Sequence, residues 1–537
     1  MNIETLEPRI APAALIFNDV DGDTVTINTT AGDVSARGTV VGGQLQLLDL
    51  TDASFQGASI SVKVAKAGGG DGLVNIGRID ATSRDLGSVT IPGDLAVLDA
   101  GDGNTADGAV KSLTVRSMGR YGLATQGAAA DLQSNLPGGI GALKVAGDVE
   151  DVFILVTGGS NGKIGTLSIG GSLVGGDADL SGRVETSGDI GSVKITGNLE
   201  GGAGQGSGFI SCFGKIGALT IGGSVLGGSG MFNGKIYSQG DPGPIKIGGD
   251  LKGGTGDESA FITSDGSLMS FKVGGSIVGG TGEFSGGLSI EGRLGSATIG
   301  GSISGGSADH SGCVFAAGDM GPVKIGRDIR GGTGNSSGDV HSDGRLASLT
   351  LGGSIVGGSG VNSGYVHSEL AMGAVKIGGG IFGGTVNLAG YLESRSTLGS
   401  VTVAGSLVGG AGSRGGNIFA VSDIGAVKIG GDVRGGSGVF SGSVESSTGK
   451  ITSISLGGSL AGGSADDTGY IFSGGELGPV KIARDVIGGS VTDAASLDDT
   501  GLIQGFRIVS ISIGGSVVSG TDDSTGTLTS SGVILAN

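Results

Sequence analysis

A repeat of about 26 residues constrains the fold of this chain more than any other feature of its sequence. The segment from Ile164 to Gly176 reads IGTLSIGGSLVGG, and equivalent segments follow at a nearly constant step from Ile190 through most of the remaining chain. The step is slightly longer before Ile451 and longer again before Ile508. A period of this length indicates a solenoid, in which each repeat packs against its neighbouring repeats.

Each repeat contains three short strand-like segments separated by Gly-rich turns. The first alternates apolar and polar residues, as in Val193-Lys-Ile195, and the second is centred on the residue after Gly-Gly-Ser, such as Leu173. The third reads Gly-x-aliphatic-x-small, as in Gly234 to Ser238. Alternation bounded by glycine is typical of strands, and these segments are too short for helices. The sequence therefore predicts an all-β fold, a right-handed parallel β-helix (β-solenoid) with about 26 residues and three short strands per coil.

Stacked coils would place equivalent residues about 4.8 Å apart, so that each position of the repeat becomes a ladder. One outward ladder carries lysine in most alternate coils, and an aspartate follows four residues later in several of them. We expect Asp250, Asp328, Asp432 and Asp485 to pair with the lysines of their own coils.

Composition excludes several classes of function. The net charge of −18 and the absence of a basic stripe argue against nucleic-acid binding. The apolar run from Ile10 to Phe17 contains Pro12 and is too short to span a membrane, so no membrane-spanning segment is expected. The acidic, Gly-rich and Ser-rich composition favours an extracellular or cell-surface location, with a non-standard or unrecognised export signal.

The fidelity of the repeat divides the chain into four regions. We predict an N-terminal sorting motif and β cap in residues 1–57, and irregular solenoid coils in residues 58–160. Residues 161–520 form the regular repeat, and residues 521–537 form a C-terminal end or cap. A cap is expected because the last coil of a solenoid is an open β edge.

The opening segment, from Met1 to Arg9, contains Leu6-Glu-Pro-Arg9. It resembles the N-terminal Leu-Glu-Pro-Arg motif of the LEPR-XLL family, whose members are large, repeat-bearing and presumed exported. The Gly-rich repeats are similar to those of bacterial β-helical surface adhesins. These resemblances imply a surface or secreted protein whose N-terminus acts as a sorting element.

Three small groups of residues are candidates for metal or thiol chemistry. Asp19, Asp21 and Asp23 alternate around a glycine, and this pattern predicts either a calcium site or a simple acidic turn. No other cofactor is expected. His341 and His367 lie one repeat apart and should stack on adjacent coils, either as a metal pair or as solvated surface residues. Cys212 and Cys313 lie about four coils apart, beyond disulfide reach, and should be unpaired.

The outward side of the third strand is the leading candidate for a binding surface. It gathers nine of the twenty aromatic residues and two of the three histidines, and we expect it to be exposed. This aromatic strip comprises Phe209, Tyr237, Phe261, Phe315, His341, Tyr365, His367, Tyr391, Phe419, Tyr470 and Phe472. Ordinary stacking of aromatic residues between β rungs is the alternative explanation.

Two functions from different classes fit these features. The first is a non-catalytic bacterial cell-surface or secreted structural or adhesive rod. Its aromatic strip would bind glycan, extracellular matrix or other solenoid copies. The second is a polysaccharide-active lyase or hydrolase, because parallel β-helices host such enzymes. Catalysis needs clustered acids with arginine or histidine, and no single ladder gathers two acids with an arginine, so we do not expect an enzyme. If catalysis exists, the irregular coils between Asp99 and Val156 are where it is expected.

Overall fold

The chain is a parallel β-solenoid of about 16 turns with roughly 26 residues between coils, which confirms the predicted fold class. The computed structural model describes residues 13–127, 131–491, 496–522 and 527–536. The chain divides into two compact units, residues 1–223 with 237–240 and residues 224–236 with 241–537. The predicted sorting motif at Leu6 to Arg9 lies outside the described residues, as does part of the predicted C-terminal end. The right-handed sense of the coil and the boundary at residue 57 stay predictions.

The first unit begins with antiparallel strands and then changes to parallel coils. Strand Thr24–Thr29 pairs antiparallel with both Leu15–Asn18 and Ala58–Ala65. Strand Ala58–Ala65 in turn pairs parallel with the long strand Leu86–Gly101, so the solenoid ladder starts there. The antiparallel strands therefore cover the strand at which the parallel ladder begins, an arrangement that fits the predicted cap.

The strands and short 3-10 helices of the first unit alternate with turns. The strands are Leu15–Asn18, Thr24–Thr29, Gly38–Val41, Gln44–Asp49, Ala58–Ala65, Val74–Thr82, Leu86–Gly101, Val110–Met118, Gln133–Pro137, Ile140–Val145, Val149–Glu150, Phe153–Thr157, Ile164–Ile169, Leu173–Val174, Arg183–Thr186, Ile190–Ile195, Leu199–Glu200, Ile210–Cys212 and Leu219–Ile221. The 3-10 helices are Ala53–Phe55, Gly122–Thr125 and Gly159–Asn161.

The second unit repeats three strands in every coil, and each strand pairs in register with its equivalents one coil before and after. The first strands are Ile245–Ile247, Phe271–Val273, Ala297–Ile299, Met320–Ile325, Leu346–Leu351, Met372–Ile377, Val401–Val403, Ile424–Ile429, Ile451–Leu456, Val480–Ile482 and Ile511–Ile513. The second strands are Val225–Leu226, Leu251–Lys252, Ile277–Val278, Ile303–Ser304, Ile329–Arg330, Ile355–Val356, Ile381–Phe382, Leu407–Val408, Val433–Arg434, Leu460–Ala461, Val486–Ile487 and Val517–Val518. The third strands are Phe261–Ser264, Gly287–Ile290, Val314–Ala316, Val340–Ser342, Tyr365–Ser368, Tyr391–Ser394, Ile418–Ala420, Val444–Ser446, Ile471–Leu477, Ile503–Ile508 and Ile534–Ala536. Strand Ile236–Ser238 has residues in both units, and Leu497–Asp498 pairs separately with Leu528–Thr529.

Aliphatic ladders form the core of the second unit. Ile299 stacks on Ile325 in the first-strand ladder, Ile277 stacks on Ile303 in the second, and Val340 belongs to the third. All five side chains are at most 1% exposed to solvent. Burial of an aliphatic side chain of this size contributes about 1.5–3 kcal/mol, so the ladders stabilise every coil.

A second ladder, of polar side chains, joins successive coils at the turn after the first strand. The Ser354 amide donates to the Asp328 carboxylate at 2.8 Å, and the Ser459 amide donates to Asp432 at the same distance. The ion pairs of these two aspartates are with Arg330 and Arg434. For these two positions, the expectation of pairing with lysine is therefore wrong, because the carboxylates face the next coil and the arginines of their own second strands.

The long turn before most third strands is held by a buried serine or threonine hydroxyl that sequence inspection did not identify. In the turn from Gly332 to Gly338, the Ser337 hydroxyl accepts from the Gly332 amide at 3.0 Å and donates to the Gly334 carbonyl at 2.6 Å. Gly338 follows with a φ of +65°, and a Cβ there would lie 2.0 Å from the Arg330 carbonyl oxygen. The turn therefore requires glycine at this position, and a buried hydrogen-bonding residue just before it.

The two cysteines are free and buried, as predicted from their spacing. Burial raises the pKa of both thiols, so neither is activated as a nucleophile. Within the described parts of the chain, we found no helix with the length and apolar character needed to cross a lipid bilayer.

We expect Ser337→Ala to lower the free energy of local opening of residues 331–340 by about 1–3 kcal/mol, because a part-buried amide and a buried carbonyl lose their partner. Amide hydrogen exchange across this segment measures the change. Thr350→Ala, at an exposed outward position, is the matched control and should leave the exchange unchanged. Equal protection in the Ser337→Ala variant and the parent would contradict the role of the hydroxyl.

Candidate functional site

The structure partly overturns the prediction that the aromatic strip is exposed. Six of its members are buried, namely Phe209, Phe261, Tyr365, His367, Tyr391 and Tyr470, whereas Tyr237, Phe315, His341, Phe419 and Phe472 are partly exposed. Phe209 and Tyr237 belong to the first unit and the others to the second.

Neighbouring turns and strands cover buried members of the strip. Phe284, in the turn before the next third strand, packs against Phe261 with ring centroids 5.9 Å apart, and Arg183, on the preceding third strand, lies over the Phe209 ring at 4.5 Å. Each turn projects one residue with positive φ, such as Phe284 or Asn362, next to the first outward position of the strand. This cover depends on how the turn folds, and strand periodicity carries no signal for it.

A groove interrupts this cover in the second unit. The first outward position of the third strand is large in Phe261 and Tyr365, but in the three coils between them it is Gly287, Cys313 and Asp339. These small side chains leave a cavity of about 480 Å³ that is open to solvent. Ligand pockets occupy about 300–1,000 Å³, so the groove has the volume of a small-ligand site.

Aromatic rings line both sides of this groove. On the turn side, Phe284 stacks on His310 with centroids 4.7 Å apart, and Phe284 is 37% exposed. On the strand side, Phe315, His341 and His367 form a ladder with successive centroid distances of 5.4 and 4.6 Å. The predicted stacking of the two histidines on adjacent coils is therefore confirmed. The groove presents flat apolar faces above a polar floor.

A buried hydrogen-bond network closes one end of the groove. The Tyr365 hydroxyl donates to the Glu393 carboxylate and lies 2.7 Å from Nδ1 of His367. His367 Nδ1 is 3.1 Å from Glu393, and its Nε2 is 3.0 Å from Glu369. Arg395 lies 3.6–3.7 Å from both carboxylates. Two acids and an arginine from neighbouring coils thus meet here, although no single ladder contains them.

Burial and hydrogen bonding act in opposite directions on the pKa of Glu393 in this network. Burial alone would raise the pKa of Glu393, but hydrogen bonds from His367 and Tyr365 outweigh it and hold that pKa below its usual value. Burial, together with the adjacent Glu393 carboxylate, raises the pKa of Tyr365. A carboxylate held by several hydrogen bonds in this way rigidifies the end of the groove.

Two oxygen atoms that line the groove have no hydrogen-bond partner. One is Oδ1 of Asp339, whose residue is only 5% exposed, and the other is Oδ1 of Asn362 in the turn above the following coil. Burial raises the pKa of Asp339 well above its usual value. Unpartnered buried acceptors are rare in folded proteins, and here both belong to residues that line one cavity.

The histidine pair does not form a metal centre with its neighbours. His341 Nε2 lies 2.9 Å from Asp343, and both ring nitrogens of His367 face carboxylates. Burial, followed by the nearby His367, lowers the pKa of His341. Among the described residues, only the predicted calcium residues place three metal-ligand atoms within 4.8 Å of one another.

Asp19, Asp21 and Asp23 lie together in the first unit, as their spacing predicts. Each carboxylate already accepts a hydrogen bond from a backbone amide. The Asp23 amide donates to Asp19 at 2.8 Å, and the Asp71 amide donates to Asp21 at 2.9 Å. Burial and the neighbouring Asp21 raise the pKa of Asp19 to about 6. The carboxylates hold the loop between residues 67 and 72, and calcium binding there stays a prediction.

The irregular coils, where sequence analysis expected any catalysis, contain a buried ion pair. Asp99 pairs with Arg78 at 2.5 Å and accepts from both the amide and the side chain of Asn135 at 3.0 Å. The cavity lined by Leu98 and Ser134 is about 10 Å³, far too small for a sugar ring. The contacts of Asp99 are therefore those of a residue that stabilises the fold.

Sequence analysis identified Tyr365, His341 and His367, and placed Asp339 on the same face, but did not predict the groove. Gly287, Cys313 and Asp339 interrupt an otherwise bulky ladder, and this interruption was the available signal. Phe284 and Asn362 lie in turns that sequence analysis treated only as connections.

Comparisons with protein-family models, with curated proteins and with solved structures found no match to this chain.

We expect Asp339→Asn to stabilise the chain at neutral pH relative to the parent, and to have a smaller effect near pH 4. The folded-state pKa of Asp339 is raised, so the folded state binds more protons than the unfolded state above the unfolded pKa of about 3.9. The stability of the parent therefore falls as pH rises from about 4 toward the folded pKa, and asparagine removes this loss. Urea denaturation of both proteins across this range measures the difference. A difference that is independent of pH would contradict the assignment.

Proposed function

We propose that this chain is a non-catalytic bacterial β-solenoid of the cell surface or secreted space that binds glycan in the groove between Phe261 and Tyr365. The observation that carries the proposal is the groove itself, about 480 Å³ in volume and lined by exposed aromatic faces and polar groups. The acidic composition and the resemblance to β-helical adhesins support the location. The sequence also predicts extracellular matrix or other copies of the solenoid as partners. The groove favours glycan over both.

The chemistry of the groove suits a sugar. A pyranose ring has apolar C–H faces that stack on aromatic rings and hydroxyl groups that pair with side chains at its rim. Phe284 and Phe315 offer the ring faces, whereas Glu291, Asp339 and Asn362 offer acceptors. Sites for small molecules combine apolar walls with a few convergent polar groups in this way.

The test is glycan-array binding by the parent and by the Phe284→Ser/Phe315→Ser variant, with Phe382→Ser as the matched control. Phe382 is 38% exposed on a second strand, away from the groove lining. We expect the double variant to lose at least about tenfold in affinity, equivalent to about 1.4 kcal/mol of lost stacking, and the control to bind like the parent. Unchanged β circular dichroism would exclude unfolding.

Two outcomes would contradict the proposal. Absence of any bound glycan for the folded parent would remove glycan binding altogether. Equal loss in the Phe382→Ser control would show that binding depends on scattered exposed rings and does not require the groove.

A polysaccharide-active enzyme is the second candidate, and one observation favours it. Glu369, Glu393 and Arg395 meet at the end of the groove, and Asp339 is a carboxyl group with a raised pKa of the kind that donates protons in glycoside cleavage. Against it, Glu393 and His367 already use their polar atoms within the buried network. Recovering the oligosaccharide after incubation with the protein distinguishes the two candidates. We expect the oligosaccharide to be intact. Formation of new reducing ends by the parent, and no such formation by Asp339→Asn, would establish an enzyme instead.

A further inference from the structure

Two unpartnered acceptors in one cavity indicate which chemical group the ligand brings. Asp339 Oδ1 and Asn362 Oδ1 are both buried without a donor, and they belong to third-strand and turn positions of adjacent coils. A ligand that leaves such oxygens unpaired would forgo the free energy of satisfying them. The groove therefore favours a ligand that has several donors at one point.

The charges around the groove select among such ligands. The titratable groups that line it with Asp339 are Glu291, His310, Cys313, His341, Tyr365, His367, Glu369 and Arg395. Arg395, its permanent cation, lies beside Glu369 and Glu393, and Asp343 lies beside His341. The chain as a whole carries a net charge of −18. An anionic sugar would therefore meet repulsion in the groove, whereas a cation would be attracted.

We propose that the groove is specific for a glycan bearing a free amine, an amino sugar whose ammonium group pairs with Asp339 and Asn362. This inference rests on the proposed glycan binding and names the substrate class. An ammonium group supplies up to three donors, whereas a hydroxyl supplies one and an acetamide nitrogen supplies one without charge. Asp339 is the specificity-determining residue, because its carboxylate becomes the counter-ion of the ligand.

This pairing predicts that a proton is released on binding. Burial raises the pKa of Asp339 well above its usual value and so favours the protonated carboxyl when it has no charged partner. An ammonium group beside it favours the carboxylate, so the proton leaves to solvent as the ion pair forms. No bond of the sugar forms or breaks in this step, and the ligand ammonium keeps its own proton.

The experiment is isothermal titration of the full chain at about pH 5.5, where the ligand amines already carry their protons, in two buffers with different ionisation enthalpies. The ligands are a glucosamine tetramer, its N-acetylated form and a galacturonate tetramer. We expect the amine form to bind at least about tenfold tighter than the acetylated form, the galacturonate to bind weakest, and up to about one proton to be released. Asp339→Asn should abolish both the proton release and the preference for the amine.

Asp177→Asn is the matched control. Asp177 is an exposed acid of the first unit that does not line the groove, so this variant should keep the preference and the proton release. Equal affinity for the amine and acetyl forms, or tighter binding of galacturonate, would overturn the amine assignment while leaving glycan binding intact. Absence of binding by all three tetramers and by the glycan array would overturn the proposed function as well. Proton release that persists in Asp339→Asn would assign the titrating group elsewhere and overturn the role of this residue.

Discussion

In-register stacking of one coil on the next is the constraint on which the rest of the structure depends. In the parallel coils, strands donate and accept backbone hydrogen bonds with their equivalents in neighbouring coils, so that side chains stack on the residue one repeat away. The aliphatic ladders and the Asp328-type polar ladder are consequences of this register. The effect of a residue on packing therefore depends on the other residues of its ladder, since that ladder provides its nearest side-chain neighbours.

The groove follows from the same rule. A ladder of bulky side chains fills the space beneath the turns, and a run of small ones leaves that space empty for as many coils as the run lasts. Gly287, Cys313 and Asp339 make such a run between Phe261 and Tyr365. No loop insertion is needed, because the regular turns form one wall and the outward third-strand residues form the other. A uniform scaffold can acquire a site in this way through substitutions within one ladder.

Some polar groups around the groove have hydrogen-bond partners within the protein, and others have none. The first set stabilises the structure, and the second is available to the proposed ligand. His367, Glu393 and Tyr365 satisfy one another and keep the end of the groove rigid. Asp339 and Asn362 each retain an oxygen without a partner in the cavity. A rigid wall with unpaired acceptors beside it is preorganised for a donor that arrives with a ligand, which lowers the ordering cost of binding.

The sequence by itself determined the strands, the period and the core, because a fixed repeat fixes which residues stack. Val340, His341 and His367 were placed correctly on this basis. Only the tertiary structure decided which outward residues stay exposed, because Phe284 of a turn packs over Phe261, and Tyr365, Glu393 and His341 surround His367. It also decided that Glu369, Glu393 and Arg395 meet, since they come from two coils and neighbouring columns. Contacts along a ladder follow from periodicity, whereas contacts across ladders depend on turn conformation and side-chain direction, which the repeat does not encode.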